Sequence, residues 1–236
     1  MSAPVRVLVH GASGRMGAAL LRLLPERRDL TLVAACSRRP VEGCARWHAL
    51  DSLGGVPEFD VAIDFSLPEA FDPLLALCRA RGSGLVSGTT GLAPAQLAAI
   101  GAAAAEVPVL WAANFSPGVT VLRDLVERAA RALREWDADI VEAHHVHKKD
   151  APSGTALALG EAVEAGCGRE PAYAALRAGD IVGEHTVQLT GPGERIELVH
   201  RAASRDIFAA GALRAAAWLN GRDPAVYGMN DCLGLG

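Results

Sequence analysis

Lysine is nearly absent from this sequence, and the place where it does occur is informative. Of the 23 basic residues, only Lys148 and Lys149 are lysines, and they are adjacent. An Arg side chain is effectively never deprotonated, whereas an ammonium group can release a proton and its pKa responds to its surroundings. The adjacent lysines therefore favour a role for a transferable proton at one of the two positions. The alternative is a solvated loop that carries basic residues by chance.

Cysteine is also scarce, and long apolar runs are missing. The five cysteines are Cys36, Cys44, Cys78, Cys167 and Cys232. Their odd number and lack of C-x-x-C spacing argue against a disulfide framework or a structural zinc site and favour a reducing compartment, so we expect a cytoplasmic protein. The run from Val5 to Val9 is too short for a signal peptide, and polar residues interrupt the uncharged stretch from Gly82 to Ala105. We therefore expect no signal peptide and no membrane-spanning segment.

The charge balance excludes a further class of partner. The net charge is −4, and no basic run extends beyond short pairs. A nucleic-acid-binding surface needs a basic patch or stripe, so we expect no nucleic-acid partner. With half of its 236 residues hydrophobic, the chain can bury a full core and hold one large or two small domains.

The stretch from Glu142 to Ala156, with the sequence EAHHVHKKDAPSGTA, carries most of the candidate chemistry. Three of the seven histidines fall within four residues, directly before the two lysines. Ser153 or Thr155 can then cap a helix, whose first N–H groups and positive dipole end suit a carboxylate or phosphate. This arrangement suits a small anionic substrate that is protonated while it is bound. A capped helix alone would explain Ser153 and Thr155, but not the His and Lys cluster.

The histidines of this stretch could also suggest a metal site. If the run is extended, His145 and His147 face one side and His144 the other, because side chains alternate along a strand. No cysteine lies near, and the lysines repel a cation. We therefore predict no metal site.

A glycine-rich turn near the start of the chain predicts a dinucleotide site. A strand-like run from Val5 to His10 leads into GASGRMG at residues 11–17, and a helix follows. Strand, glycine turn and helix are the context of a dinucleotide-binding fingerprint, in which the pyrophosphate lies on the helix N-terminus. The spacing is GxxGxxG rather than GxGxxG, so a glycine turn without a ligand is the alternative.

The end of the second predicted strand bears on the choice of cofactor. An acidic residue at this place usually holds the ribose hydroxyls of NAD. Here Ser37, Arg38 and Arg39 follow the strand instead. Two guanidinium groups would favour a 2′-phosphate, so we predict that NADPH is preferred and that NADH remains possible. Merely solvated arginines are the alternative.

The order of predicted elements indicates an α/β fold with two domains. Strands near residues 5–10, 30–36, 60–66, 84–87 and 107–111 alternate with helices, and residues 40–57 are expected to form a loop with a short helix. We predict a Rossmann-type doubly wound parallel sheet, with the loops at 11–16, 88–90 and 112–115 facing one crevice.

The second half of the chain has a different pattern. Helices near 118–134 and 153–165 flank a strand at 138–143, and a hairpin of strands spans 181–202. We predict a second α+β domain with an open mixed sheet, for substrate binding and assembly. Residues 1–116 would form the dinucleotide-binding domain, with 206–236 returning to it, and residues 117–205 the second domain.

Taken together, these motifs resemble those of the dihydrodipicolinate reductase family of the bacterial and plant lysine pathway. The resemblance covers nearly the whole chain. Besides GASGRMG and the central stretch, it rests on SGTTG at 87–91, AANFSPGV at 112–119, RAGDIVGEHTV from Arg177 and YGMNDCLGL from Tyr227. It implies an NAD(P)H-dependent reduction of 4-hydroxy-tetrahydrodipicolinate to tetrahydrodipicolinate, and a homotetramer. The central motif is specific to the family, whereas many oxidoreductases share the glycine turn.

The resemblance also implies roles for single residues. His144 would donate and accept a proton, and Lys148 would be the proton donor. The residues implied in substrate binding are His145, Ser153, Gly154 and Thr155. The residues implied in cofactor binding are Gly11, Ala12, Ser13, Gly14, Arg15, Met16, Arg38, Gly88, Thr89, Thr90, Ala112, Ala113, Asn114 and Phe115. Ser37 departs from the acidic residue frequent in the family, and the chain is short near 40–57 and between Glu164 and Leu176.

Two other functions are compatible with the glycine turn. One is another Rossmann-type enzyme, such as an imine reductase or an amino-acid dehydrogenase, but it would not explain the central motif. The other is a non-catalytic NAD(P)-sensing protein, which would not need His144 and Lys148.

Overall fold

A computed structural model describes residues 3–235 and divides them into two compact units. One unit comprises residues 3–115 and Phe208–Gly234, and the other comprises Ser116–Ile207. In chain order the elements are β1 (Val5–His10), α1 (Arg15–Leu23), β2 (Leu30–Ser37), β3 (Trp47–Ala49), β4 (Val61–Asp64), α2 (Phe71–Arg81), β5 (Gly84–Ser87), α3 (Pro94–Ala103), β6 (Val109–Trp111), α4 (Pro117–Ala132), β7 (Asp137–His144), α5 (Gly154–Cys167), β8 (Ala172–Arg177), β9 (Gly183–Gly191), β10 (Glu194–Ala202), α6 (Asp206–Leu219), β11 (Val226–Tyr227) and α7 (Met229–Leu233).

The first unit is built on a parallel sheet with the strand order β11-β6-β5-β4-β1-β2-β3. Successive side chains of a strand point to opposite faces, so Val7 and Val9 enter one apolar cluster and Leu8 the other. Helices α1 and α6 contribute to the first cluster, and α2 and α3 to the second. A parallel sheet that is buried on both faces is the doubly wound arrangement that the sequence predicted.

The segment 40–57 contains more than the expected loop and short helix. Trp47–Ala49 adds an edge strand beside β2, and a short 3-10 helix at Leu50–Gly55 follows. Three residues are too few to show an alternating pattern, so the sequence carried no signal for this strand.

The second unit is a four-stranded mixed sheet with the order β10-β9-β7-β8. The hairpin of β9 and β10 is present, and β8 pairs parallel to β7 in a segment for which the sequence predicted no strand. One face of the sheet packs on α4 and α5 around Ile140, Leu159 and Val126. The carboxyl end of β7 and the start of α5 then bring the central motif together.

Helix length bears on membrane association. No helix among residues 3–235 is both long enough and apolar enough to cross a membrane.

Candidate active site

Glu142 is the centre of the site in the second unit. Strand alternation places Ile140, Glu142 and His144 on one face of β7, so the apolar core gives way to polar side chains at the end of the strand. Glu142 is 1% exposed. Both its oxygens accept hydrogen bonds from the Arg177 guanidinium, at 2.8 and 2.9 Å, and one oxygen accepts the backbone N–H of Ser153 at 3.1 Å. Fixed donors thus surround the buried carboxylate on several sides.

The ionisation of Glu142 follows from these contacts. Burial raises the pKa of the Glu142 carboxyl, but the hydrogen bonds from Arg177 and His144 act in the opposite direction and leave its pKa below the ordinary value. The site therefore contains a carboxylate rather than a neutral acid.

This carboxylate determines the tautomer of His144. The Nδ1 atom of His144 lies within hydrogen-bond distance of Glu142 Oε2. Because a carboxylate can only accept, Nδ1 must carry the proton. Nε2 is then the ring nitrogen that can take up or release a further proton. A Cβ at Gly183 would lie 3.0 Å from this Nε2, so the absence of a side chain there keeps the nitrogen uncovered.

Arg177 also holds the loop that carries the lysines. Besides Glu142, its guanidinium binds the backbone carbonyls of Lys148 and Asp150. Neither Glu142 nor Arg177 was among the residues predicted for the site. Glu142 is the first residue of the central motif and Arg177 the first residue of RAGDIVGEHTV, and these places in two of the family motifs were the only sequence signal for them. Their pairing depends on the alignment of His144 with Arg177 across the parallel strands β7 and β8.

Lys148 and Lys149 have different environments in this loop. The ammonium group of Lys148 contacts both carboxylate oxygens of Asp150, at 2.9 and 2.8 Å, and its side chain is 22% exposed. This hydrogen bond is the main reason that the pKa of Asp150 lies below its ordinary value. Lys149 is exposed. The structure thus supplies a positioned cation at 148, which an incoming carboxylate can reach only in competition with Asp150.

The start of α5 contains the residues predicted to bind substrate. Ser153 is the N-cap: its hydroxyl accepts the N–H of Ala156 at 3.2 Å and lies 3.2 Å from His185 Nε2. Since Ser153 is only 2% exposed, its side chain supports the helix start from within. Gly154 is exposed and Thr155 partly exposed in the first turn. Their backbone groups therefore lie where an anion can approach the helix.

His145 and His185 differ in burial. His145 Nε2 is 2.9 Å from an Arg205 guanidinium nitrogen, and partial burial together with the charge of Arg205 lowers the pKa of His145. His185 is buried beneath His144, with ring centroids 5.1 Å apart. Burial first, and then the charge of His144, lower the pKa of His185 to about 4. His185 is therefore a neutral ring at ordinary pH, and sequence reasoning did not select it although it lies in GEHTV.

Between residues 3 and 235, no three His, Cys, Asp or Glu side chains are grouped as a metal ion would need.

The glycine turn of the first unit has the shape that a dinucleotide requires. Gly11 has φ = +78°, and a Cβ there would overlap the carbonyl oxygen of Phe65. Gly14 is the N-cap of α1 and has no side-chain cap. Arg15 is exposed, whereas Met16 packs against the core. An open cavity of about 450 Å³ adjoins this turn and is lined by residues that include Gly11, Ser13, Gly14, Arg38 and Arg39. These residues fit a pyrophosphate at the helix start.

Ser37 does not take the place of the ribose-binding carboxylate. It is 2% exposed; its hydroxyl donates to the Arg39 carbonyl at 2.7 Å and accepts from the Trp47 indole at 3.1 Å. The inward hydroxyl therefore shapes the loop, while Arg38 and Arg39 are exposed at the cavity.

The residues predicted for the nicotinamide side follow the neighbouring strands β5 and β6. Their loops lie at the same edge of the sheet as the glycine turn, because all these strands are parallel. Ala12, Thr89 and Phe115 are at most 1% exposed, so these three residues support the loops from within. Thr90 and Ala113 are exposed, and Gly88, Ala112 and Asn114 are partly exposed.

The fold and these residues define a class of protein. A doubly covered parallel sheet with a glycine turn and an adjoining cavity is the architecture of dinucleotide-dependent oxidoreductases. The second unit adds a His–carboxylate pair and a lysine beside a helix start, which are groups for proton transfer. The chain is thus an NAD(P)H-dependent oxidoreductase with two compact units.

Two family models identify the family within this class. The model described as dihydrodipicolinate reductase, N-terminus, matches residues 5–115, and the one described as dihydrodipicolinate reductase, C-terminus, matches residues 118–233. The chain belongs to the dihydrodipicolinate reductase family, as its motifs predicted.

Relatives and solved structures agree. The 4-hydroxy-tetrahydrodipicolinate reductase of Stenotrophomonas maltophilia (strain R551-3) is 63% identical over 236 residues, which cover 98% of each chain. That of Xylella fastidiosa (strain 9a5c) is 56% identical over 237 residues, covering 99% of this chain and all of the relative. A dipicolinate-bound dihydrodipicolinate reductase from Paenisporosarcina sp. TG-14 has a TM-score of 0.84 at 20% identity, over 95% of this chain and 97% of that one. This structural likeness confirms the predicted fold.

Proposed function

We propose that this protein reduces 4-hydroxy-tetrahydrodipicolinate to tetrahydrodipicolinate in lysine and diaminopimelate biosynthesis. The overall reaction takes one hydride and one proton and releases water. Full-length relatives that are 56 and 63% identical carry this activity in their names. The observation that carries the proposal is that His144 and Ser153 of the central motif, together with Arg177, all bond to buried Glu142.

NAD(P)H, when bound, supplies the hydride. Its binding is assigned to the glycine turn at 11–16, Arg38 and the loops at 88–90 and 112–115, in the domain of residues 1–116 with 206–236. The second domain, residues 117–205, binds the substrate. Within it the helix start at Gly154 and Thr155 receives a substrate carboxylate, with His145 and the capping residue Ser153 beside it.

Proton handling is assigned to His144 and Lys148. The ammonium of Lys148 leaves Asp150 for a substrate carboxylate and protonates the carbon that gains negative charge. His144 exchanges a proton through Nε2, because Nδ1 remains bonded to Glu142. The buried Glu142 carboxylate thus keeps the His144 ring in a fixed orientation. Arg177 keeps both parts in register, since it binds Glu142 and the lysine loop together.

The two alternative functions are less well supported. Another Rossmann-type dehydrogenase would not need the Glu142-centred site or match relatives of this one activity over the full length. A non-catalytic sensor would not need a lysine placed as Lys148 is.

The experiment that tests the activity is an assay with substrate made enzymatically in the cuvette. Consumption of NADPH that requires both the protein and the substrate is the expected result. Consumption with an unrelated imine but not with this substrate would favour the other dehydrogenase class, and binding of NADPH without turnover would favour the sensor.

For the cofactor, we propose a preference for NADPH over NADH. Support comes from the inward Ser37 and the exposed guanidinium groups of Arg38 and Arg39 at the cavity. No acidic side chain takes the place of Ser37 at the end of β2 to hold ribose hydroxyls.

For assembly, we propose a homotetramer built on the second sheet, in the cytoplasm. On the face opposite α4 and α5, Val199, Thr186, Val141 and Ala174 lie side by side across β10, β9, β7 and β8. Such an uncharged row across a whole sheet suits contact with a second copy. The five scattered cysteines are all free thiols, which suits a reducing compartment.

A further inference from the structure

A polar row crosses the carboxyl ends of four strands in the first unit. His10 ends β1, Asp64 ends β4, Ser87 ends β5 and Trp111 ends β6. Each is the register partner of the next, so their side chains lie on the same face of the sheet. We call these four residues the polar row. None of them has a role in the proposed reaction.

The polar row takes the place of apolar side chains at the carboxyl ends of the strands, next to the glycine turn. The preceding residues on the same face are Leu8, Ala62 and Leu85, all in the apolar core. His10, Asp64 and Ser87 are completely buried. A buried carboxylate is costly unless hydrogen bonds and a counter-charge surround it. A polar row on an otherwise apolar face therefore needs an explanation.

Asp64 joins the members of the row. One oxygen lies 2.8 Å from His10 Nδ1, and the other accepts the Ser87 hydroxyl at 2.8 Å. Burial raises the pKa of the Asp64 carboxyl, but the hydrogen bond and charge of His10, with hydrogen bonds from Thr89 and Ser66, leave its pKa below the ordinary value.

The row holds every polar group of Thr89. The Thr89 hydroxyl donates to Asp64 at 2.7 Å, and its N–H donates to the Ser87 hydroxyl at 3.3 Å. Its carbonyl accepts the Trp111 indole N–H at 3.1 Å. The N–H of Ser66 also reaches both Asp64 and the Thr89 hydroxyl, each at 3.1 Å. The conformation of the loop at 88–90 is therefore set by the row, while the exposed parts of that loop stay open to a ligand.

We infer that the polar row is a positioning device for the loop at 88–90, whose accessible residues Gly88 and Thr90 face the nicotinamide half of the cofactor. The inference rests on the proposed function, because that function assigns the loop to the nicotinamide side. His10, Asp64, Ser87 and Trp111 act through Thr89 and touch no reacting atom. Loss of one hydrogen bond in the row leaves the loop present but displaced.

Two substitutions test the row, and one neighbouring residue provides a matched control. Ser87→Ala removes the hydroxyl between Asp64 and the Thr89 N–H. Trp111→Phe removes the bond to the Thr89 carbonyl and keeps the Ser87 hydroxyl, should the first variant fold poorly. The control is Ser83→Ala at the amino end of β5, where a buried serine hydroxyl donates to the Phe59 carbonyl at 2.8 Å, far from the loop.

The measurement is calorimetric binding to the full-length protein without substrate. One probe is NADPH, and the other is 2′-phospho-ADP-ribose, which lacks the nicotinamide. Ser87→Ala and Trp111→Phe should each raise the Kd of NADPH roughly 3- to 10-fold, the effect of one lost hydrogen bond. Both should leave the Kd of the fragment within about 2-fold and alter the nicotinamide fluorescence of bound NADPH. Ser83→Ala should change neither affinity.

Other outcomes separate the inference from the proposed function. Equal losses for both probes would mean general loosening and would overturn the inference, as would NADPH affinities of Ser87→Ala and Trp111→Phe that match the control. If the wild type binds NADPH but does not reduce the substrate, the proposed reaction fails while the binding data still decide on the row. If the wild type binds no NADPH, both fail.

Discussion

At the scale of residues, neighbours of the same type have unlike surroundings. Lys148 is mostly buried, paired with Asp150 and tethered through its carbonyl by Arg177, whereas Lys149 is exposed. His185 lies beneath His144 and is neutral at ordinary pH, although both belong to one cluster. These contrasts make single substitutions informative, because a matched control is at hand for each.

The lysine pair provides the first prediction. Lys148→Ala should lower kcat by roughly 10²- to 10⁴-fold, the usual contribution of a positioned general acid, with the Kd of NADPH little changed. Lys149→Ala should keep kcat within about 2-fold. Steady-state rates with saturating NADPH check both variants. Similar kcat values for the two would remove the assigned role from Lys148.

His185 provides a prediction about stability and pH. Its pKa is lowered from 6.5 to about 4, first by burial and then by the charge of His144. Between these values the unfolded chain binds the proton and the folded chain does not, so stability falls as pH falls from 6.5 to 4. The full effect is at most about 3 kcal/mol. His185→Asn should flatten this part of the curve.

Urea unfolding at a series of pH values measures the slope. His147→Asn, at an exposed imidazole, is the control and should keep the slope of the wild type. Glu142 and Asp64 have pKa values below the ordinary ones and also lose stabilising charge in acid, so only the difference between variant and wild type is diagnostic. An unchanged slope in His185→Asn would contradict the buried neutral ring.

At the scale of elements, strand ends decide what the first unit can bind. The end of β2 turns Ser37 inward and leaves Arg38 and Arg39 at the cavity, whereas the end of β1 enters the glycine turn. Another exposed arginine, Arg28, lies two residues before the amino end of β2. The two ends of one strand therefore offer a test of cofactor choice with its own control.

We expect Arg38→Ala to lower kcat/KM for NADPH by roughly 10- to 100-fold, the effect of losing a hydrogen bond to a charged group. The value for NADH should change by less than about 3-fold, since NADH lacks the 2′-phosphate. Arg28→Ala should leave both values unchanged. An equal loss with both cofactors would show that Arg38 acts on something other than the 2′-phosphate.

At the scale of the whole molecule, the face of the second sheet opposite α4 and α5 is the proposed contact between copies. Val141 and Val199 lie on this face with Thr186 between them in the register, away from the core around Ile140. Burying such a row between copies removes apolar surface from water without disturbing the active-site face. The proposed tetramer would therefore be sensitive to charge at this row.

Val141→Glu should shift the protein from tetramer to smaller species in light scattering coupled to gel filtration. Four like charges brought into one interface are strongly unfavourable, while in a single copy the side chain points to solvent. Leu97→Glu, on the exposed side of α3, is the control and should keep the mass of the wild type. If Val141→Glu still forms a tetramer, the interface does not include this row.

The sequence by itself determined what is contiguous: the glycine turn after β1, the His and Lys cluster before a helix start, the alternation of strands and helices, and the family. These follow from local geometry and from residue types next to one another in the chain. Only the tertiary structure decided that Glu142 pairs with Arg177, 35 residues away, and that His10 pairs with Asp64, 54 residues away. Such pairs depend on which strands become neighbours and in what register, and a shift of one residue would turn each side chain to the opposite face.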